Sequence, residues 1–238
     1  MRNTDTYSWT SISPEVWESL MKAEAAKLAR RVVVERITVE AYFQSYCAIL
    51  NPYGGVYPES DLAQFGTLGR VFDYVDTGGV FINVADVPGY YAYSKTLRRR
   101  LETTPVVFAP QPTPGGGSTL APMYPYQLTP FLQRLGMRVV GVERTPLANV
   151  TAVIGGQFAH LVGAMQGTWL AHRVAFLERN LDSVIVPAAA GPGNLVSPLL
   201  YAKMGQGTFL LSLLPLDQPQ NAGVPSLMCR LTVAQISR

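Results

Sequence analysis

Cysteine is nearly absent from this chain. Two of its 238 residues, Cys47 and Cys229, are too few for a disulfide framework. Both fall in apolar segments, where a thiol acts as a small buried hydrophobe. Charge is scarce too: 15% of residues are charged and the net charge is only +3, against ~25% charged in an ordinary soluble chain. That balance gives no reason to expect nucleic acid, and it leaves part of the surface for another subunit or domain, so a homo-oligomer or partner protein is expected. An apolar fraction of 48% excludes disorder as a description of the whole. The N-terminal MRNTDTYSWTSIS has no apolar stretch behind Arg2, so it is not a secretory signal, and a cytoplasmic location is the expectation. A long stretch free of Asp, Glu, Lys and Arg, Thr145 to His172, is broken by Gly155, Gly156, Gln157, His160, Gly163, Gln166 and Gly167. It reads as a buried segment and not as a membrane span.

What is present is an alternation of helix-like and strand-like stretches, the pattern of a parallel sheet covered on both faces. Ser13-Pro14 opens a helix with Val16, Trp17, Leu20, Met21 and Leu28 on one stripe. Val32–Val34 and Tyr46–Leu50 read as strands, the second stopped by Asn51-Pro52. Leu62, Phe65, Leu68, Phe72 and Val75 recur at spacings of three and four, which predicts a helix from Glu59 to about Thr77, ended by Gly78. Val80–Val84 is a near-continuous apolar run suited to a central parallel strand. Tyr90 to Leu101 is predicted to be helical, with Lys95 and Arg98–Arg100 at its negative pole. Residues 109–126, with five prolines and three consecutive glycines, are predicted to be a loop or flap. The Gly-Gly-Gly beside Ser118-Thr119 lacks the Gly-Lys-Ser/Thr ending of a phosphate cradle. Helices are then expected at Gln127–Leu135 and Trp169–Glu178. Strands are expected at Met137–Val142, Asn149–Ile154, Ser183–Pro187 and, as a pair around Gly205-Gln206-Gly207, within Leu199–Leu214. Ser226–Ile236 stays open between strand and helix.

Two motifs resemble a known family. Cys47-Ala-Ile-Leu-Asn-Pro-Tyr-Gly-Gly-Val-Tyr-Pro-Glu59, followed by Tyr74-Val-Asp-Thr-Gly-Gly79 and Val80-Phe-Ile-Asn-Val-Ala85, is similar to the class I glutamine amidotransferase-like superfamily. Its ThuA-like branch and the middle domain of some beta-galactosidases look nearest. Pro198 to Ser212 resembles that family's closing hairpin. The resemblance implies an α/β fold, a flavodoxin-like three-layer sandwich with a mostly parallel central sheet, formed by one domain over residues 1–238. In catalytic members the strand matching Val80–Val84 leads to a nucleophilic cysteine activated by histidine. Here Val84-Ala-Asp86-Val-Pro88 holds no cysteine, Cys47 lies one strand too early and Cys229 lies beyond the last strand. His160 and His172 lack the family's His-x-Glu pattern and read as structural residues. Glutamine hydrolysis by that triad is therefore not expected.

Ligands of open α/β sheets bind beyond the carboxyl ends of the strands. That places Asn51, Tyr53, Gly54 and Gly55 at one strand end, and Asn83, Asp86 and Tyr90 at its neighbour, as candidate residues for a small-molecule or sugar ligand. Gly54 and Gly55 offer backbone N–H groups to an oxyanion, and Asp86 with Glu59 forms an acid–base candidate or a cation holder. The same residues have a plain structural use: Asn-Pro-Tyr-Gly-Gly is turn chemistry, Glu59 suits a helix start and Asp86 suits a cap. No cofactor and no resident metal are expected. Two functions follow. The first is a non-catalytic amidotransferase-like domain binding a ligand or partner. The second is a hydrolase or carbohydrate-active enzyme using Asp86 with Glu59 or Asn51. The family places an apolar strand before the first helix, but ahead of its first helix this chain has only the polar stretch MRNTDTYSWTSIS, with no apolar run. The sheet is therefore expected to lack its first strand or to take it from another segment or subunit, and a version extended upstream is expected to be more soluble.

Overall fold

Helix α1 covers Pro14–Lys27, with Ser13 at its N-cap and Pro14 in its first turn, although the Ser13 side chain makes no capping bond to the backbone. The computed structural model describes residues 12–59, 66–85, 88–89, 91–94, 99–102, 107–123, 130–136, 138–142, 148–154, 168–171, 174–177, 181–187, 199–212, 214, 216 and 219–236. After α1, residues 30–37 form neither helix nor strand, so the strand expected at Val32–Val34 is absent. Val33 there is 82% exposed, and without burial nothing offsets the entropy of ordering a strand.

Strand β1 (Ala48–Asn51) and β2 (Val56–Glu59) come next, then helix α2 (Gly66–Asp76) and strand β3 (Val80–Asn83). Glu59 thus lies in a strand and not in the first turn of a helix. Pro58 biases Tyr57 toward extended backbone, and β2 finds a parallel partner in β4 (Tyr91–Ser94). Strand β5 (Arg99–Glu102) pairs antiparallel with β4. The helix expected over Tyr90–Leu101 is therefore replaced by two strands. The aromatic Tyr91 and Tyr93 favour a pleated surface, and Arg99 and Arg100 end up in a ladder.

The Pro/Gly-rich stretch, as far as residue 123, is likewise not a loop. Strands β6 (Val107–Pro112) and β7 (Ser118–Met123) form a hairpin, closed by Gly116 N donating to Thr113 O at 3.0 Å and Thr113 N donating to Gly117 O at 2.8 Å. Among the described residues β6 and β7 pair only with each other, and a strand edge without a ladder is where proline is tolerated. A short helix α3 (Pro130–Arg134) follows, with strands β8 (Arg138–Val142), β9 (Ala148–Ile154), β10 (Thr168–Ala171), β11 (Val174–Leu177) and β12 (Leu181–Pro187). The helix expected at Trp169–Glu178 is therefore β10 and β11, whose Trp, Val, Phe and Leu content favours strand. Strands β13 (Leu199–Met204) and β14 (Gly207–Ser212) form the predicted pair. Helix α4 (Val224–Ile236) resolves the ambiguous last stretch as helical.

The main sheet runs β1-β3-β14-β13-β12-β9-β10. Its first four strands form an open, mostly parallel sheet, because β3 is parallel to both β1 and β14. From β14 onward every pairing is antiparallel, which departs from the mostly parallel sheet expected for the whole. The cause is local. A two-residue turn at Gly205-Gln206 joins β13 to β14, and a turn that short permits only antiparallel neighbours.

Side-chain alternation along β3 and β14 splits the core into two layers. Phe81, Phe209 and Leu211 join Val71, Phe72 and Val75 of α2 and Phe131 of α3 on one face. Val80, Ile82 and Leu210 join Trp17 of α1 and Leu227, Met228 and Leu231 of α4 on the other. The rings of Phe72, Phe131 and Phe209 sit 5.1–5.3 Å apart, centroid to centroid. Helices α1 and α4 are tied by Glu24, which is 1% exposed. Its carboxylate accepts from Arg230 Nε at 2.8 Å and from Lys27 Nζ at 2.5 Å.

The turn into β14 is tight enough to exclude a methyl group. A Cβ on Gly207 would lie 2.1 Å from the Val75 carbonyl oxygen and 2.3 Å from that of Gly79. Both obstacles are backbone, so Gly207→Ala is expected to destabilise the fold by about 2 kcal/mol. Urea unfolding followed by tryptophan fluorescence checks this, and an unchanged midpoint would show that the turn yields freely.

Candidate functional site

The parallel register of β1 and β3 sets Asn51 directly beside Asn83 at the carboxyl ends of the two strands. Both are fully buried. Asn51 Nδ2 donates to Gly54 O at 2.9 Å, to Asn83 Oδ1 at 3.2 Å and to Val56 O at 3.3 Å. Asn51 Oδ1 accepts from Tyr53 N at 3.2 Å. This is the local bond by which an Asn organises its own turn. Asn83 Oδ1 accepts from the Tyr57 hydroxyl at 2.9 Å, and its Nδ2 donates to Ala85 O at 2.7 Å.

The loop between β1 and β2 closes on this pair. Gly54 takes a φ of 62°, which a side chain resists. Gly55 O accepts from Tyr91 N at 2.9 Å, hooking the loop to β4. Tyr53 is 5% exposed and packs with Val56 and Tyr91. Burial drives the Tyr57 phenol far above its usual pKa, so it stays a hydrogen-bond donor at every physiological pH.

Five of the candidate residues, Asn51, Tyr53, Gly54, Gly55 and Asn83, are thus brought together. Their carboxamides point inward, each bonded to the loop it supports. The Glu59 backbone lies in β2. Asp86 and Tyr90 lie outside the described residues, as do His160 and His172. Tyr57 was not singled out in the sequence. Its signal was period-two alternation after Gly55, which turns Tyr57 and not Val56 toward the core cluster that contains Phe81.

Neither sulfur stands at the end of β3. Cys47 is exposed and precedes the first residue of β1, at the strand end opposite Asn51. Cys229 is fully buried in α4. Burial first, and the nearby Glu24 carboxylate second, push its thiol up to about 12, so it is not a thiolate nucleophile at neutral pH. Among the described residues no three His, Cys, Asp or Glu side chains cluster as metal ligands. Among them also, no helix is long and apolar enough to cross a membrane.

No protein-family model matches the chain, and no curated protein does. Solved structures do. A beta-galactosidase from Rahnella sp. R3 matches with a TM-score of 0.51 at 14% identity, over 96% of this chain and 28% of that one. A beta-galactosidase from Bacillus circulans sp. alkalophilus matches with a TM-score of 0.48 at 15% identity, over 84% of this chain and 23% of that one. The chain therefore spans about a quarter of the length of the structures it matches. The first similarity is one of fold: a mixed α/β domain with an open sheet.

Proposed function

We propose that this chain is a non-catalytic class I glutamine amidotransferase-like domain of flavodoxin-like, three-layer type. Its strand-end loops bind a small ligand or a partner protein. The observation that carries the reading is the Asn51–Asn83–Tyr57 network. Strand β3 ends in Asn83, whose side chain is bonded to Ala85 O, just before the bend at which the resembled family carries its reactive thiol and for which Val84-Ala85-Asp86 supplies none. A fully bonded amide there is a support and not a nucleophile. Its neighbours Gly54 and Gly55, held rigid by Asn51 and Tyr91, form a pre-shaped loop of the kind that recognises a ligand.

The test combines turnover with binding. Wild-type protein is expected to show no hydrolysis of a panel of amides, esters and glycosides. Asp86→Asn is expected to alter thermal stability or ligand binding alone. The similarity to beta-galactosidases supports a second reading, a carbohydrate-active enzyme using Asp86 with Glu59 or Asn51. Galactoside turnover abolished by Asp86→Asn would establish that reading in place of the first.

A further inference from the structure

Helix α1 closes on a left-handed residue. Ala29 takes a φ of 52°, and Ala29 N and Arg30 N donate back to Ala26 O at 3.0 Å and Ala25 O at 2.9 Å. These bonds fix the chain as far as Arg30. A few residues on it is fixed again. Ile37 joins the core layer beside α2, and Arg70 of α2 donates from its two terminal nitrogens to Val39 O and Ala41 O. The same guanidinium lies 4.4 Å over the ring of buried Phe43.

Between those anchors little holds the chain. Among the described residues no backbone hydrogen bond involves residues 31–37, and none of residues 31–36 is buried. Charge ties the stretch down instead. Arg36 reaches back to α1, with Nη1 2.7 Å from Glu15 Oε1 and Nη2 3.7 Å from Glu18 Oε2. Glu18 is shared, since Lys22 Nζ lies 2.7 Å from its other oxygen. Glu35 accepts from the Tyr46 hydroxyl at 3.3 Å. The Arg36 side chain is 42% exposed and that of Glu15 61%, and ion pairs in such positions are weak and screened by salt. Val32, Val33 and Val34 of this stretch line a cavity of about 520 Å³, together with Trp17, Met21, Cys47 and Ile82.

We propose that residues 31–36 form a hinged strap, latched by Arg36 onto Glu15 and Glu18, whose opening sets access to that cavity. The strap turns about Arg30 and Ile37, and no backbone hydrogen bond has to break when it moves. Its ties to α1 are exposed ion pairs, so the closed and open positions differ little in free energy and ionic strength shifts their ratio. A segment held by a strand ladder would be indifferent to salt. The inference stands apart from the strand-end reading, since none of these residues belongs to the Asn51–Asn83–Tyr57 network.

Limited trypsin digestion reads the strap, and alkylation of Cys47 reads the cavity. Cleavage after exposed Arg31 is expected to rise about threefold between about 0.05 and about 0.5 M NaCl, the size of one exposed ion pair. A synthetic peptide of residues 26–38 corrects for the effect of salt on the protease. Modification of Cys47 by an uncharged, bulky dye maleimide is expected to rise by the same factor, with Cys229 buried and silent. Iodoacetamide, which needs less room, controls for thiol reactivity. Arg36→Gln is expected to show the high-salt rates at low salt, and Arg36→Lys, which keeps the charge, to restore the salt dependence. Cleavage after Arg31 that ignores both salt and Arg36→Gln would overturn the proposal. Faster cleavage with unchanged maleimide labelling would overturn it too, because the strap would then fray without opening the cavity. If Arg36→Gln fails to fold, the salt response of the wild type decides.

Discussion

Replacing Asn83 by Leu is expected to destabilise the protein by about 4 kcal/mol, because it strands two buried groups at ~1–3 kcal/mol each. The Tyr57 hydroxyl loses its acceptor and Ala85 O loses its donor. Asn51 keeps Gly54 O and Val56 O and loses less. For a chain of this length each kcal/mol moves the melting temperature by roughly 2–4 °C, so a fall of about 12 °C is expected in thermal denaturation. Tyr57→Phe removes one donor from a shared acceptor and should cost about 1 kcal/mol. The double variant should cost less than the two single losses together, since one of the orphaned groups is gone. Simple additivity would show that the network does not act as a unit.

The second large effect is at the α1–α4 contact. Glu24→Ala leaves the Arg230 guanidinium, 18% exposed, without its carboxylate, and a loss of about 3 kcal/mol is expected. The contact also has a pH signature. Burial alone would raise the Glu24 pKa, but the bonds from Lys27 and Arg230 outweigh it and hold the carboxyl below its usual value. A carboxylate whose folded pKa is depressed takes up protons first in the unfolded chain. Its stabilisation is therefore complete above the unfolded value, near ~4.3, and is lost as pH falls through the lower folded value. Wild type should exceed Glu24→Gln in stability by a constant margin at neutral pH, and the margin should close on acidification below about 4. A margin unchanged at low pH would mean that the ion pairs contribute nothing.

Elements with a strong period were legible in the sequence. Leu68, Phe72 and Val75 announced α2, and the apolar run at Val80–Asn83 announced a strand buried on both faces. The Gly205-Gln206-Gly207 punctuation marked the hairpin between β13 and β14. Elements whose state depends on a distant partner were not legible. Tyr91–Ser94 is strand because β2 and β5 flank it, and Pro110 and Pro112 are tolerated because, among the described residues, β6 and β7 pair only with each other. Val32–Val34 has strand composition but no ladder. At the site, Asn51 and Asn83 could be placed at strand ends from sequence, whereas their mutual hydrogen bond and the third member, Tyr57, follow from the register of β1 against β3, which is set by distant contacts.

Along β3, odd and even positions serve different layers: Phe81 faces α2, while Val80 and Ile82 face α1 and α4. A slip of one residue would hand each layer the other's side chains, so neither can loosen while the other stays intact. The α1–α4 side and the α2 side should therefore melt together as one cooperative block, with β3 as the hinge pin of both.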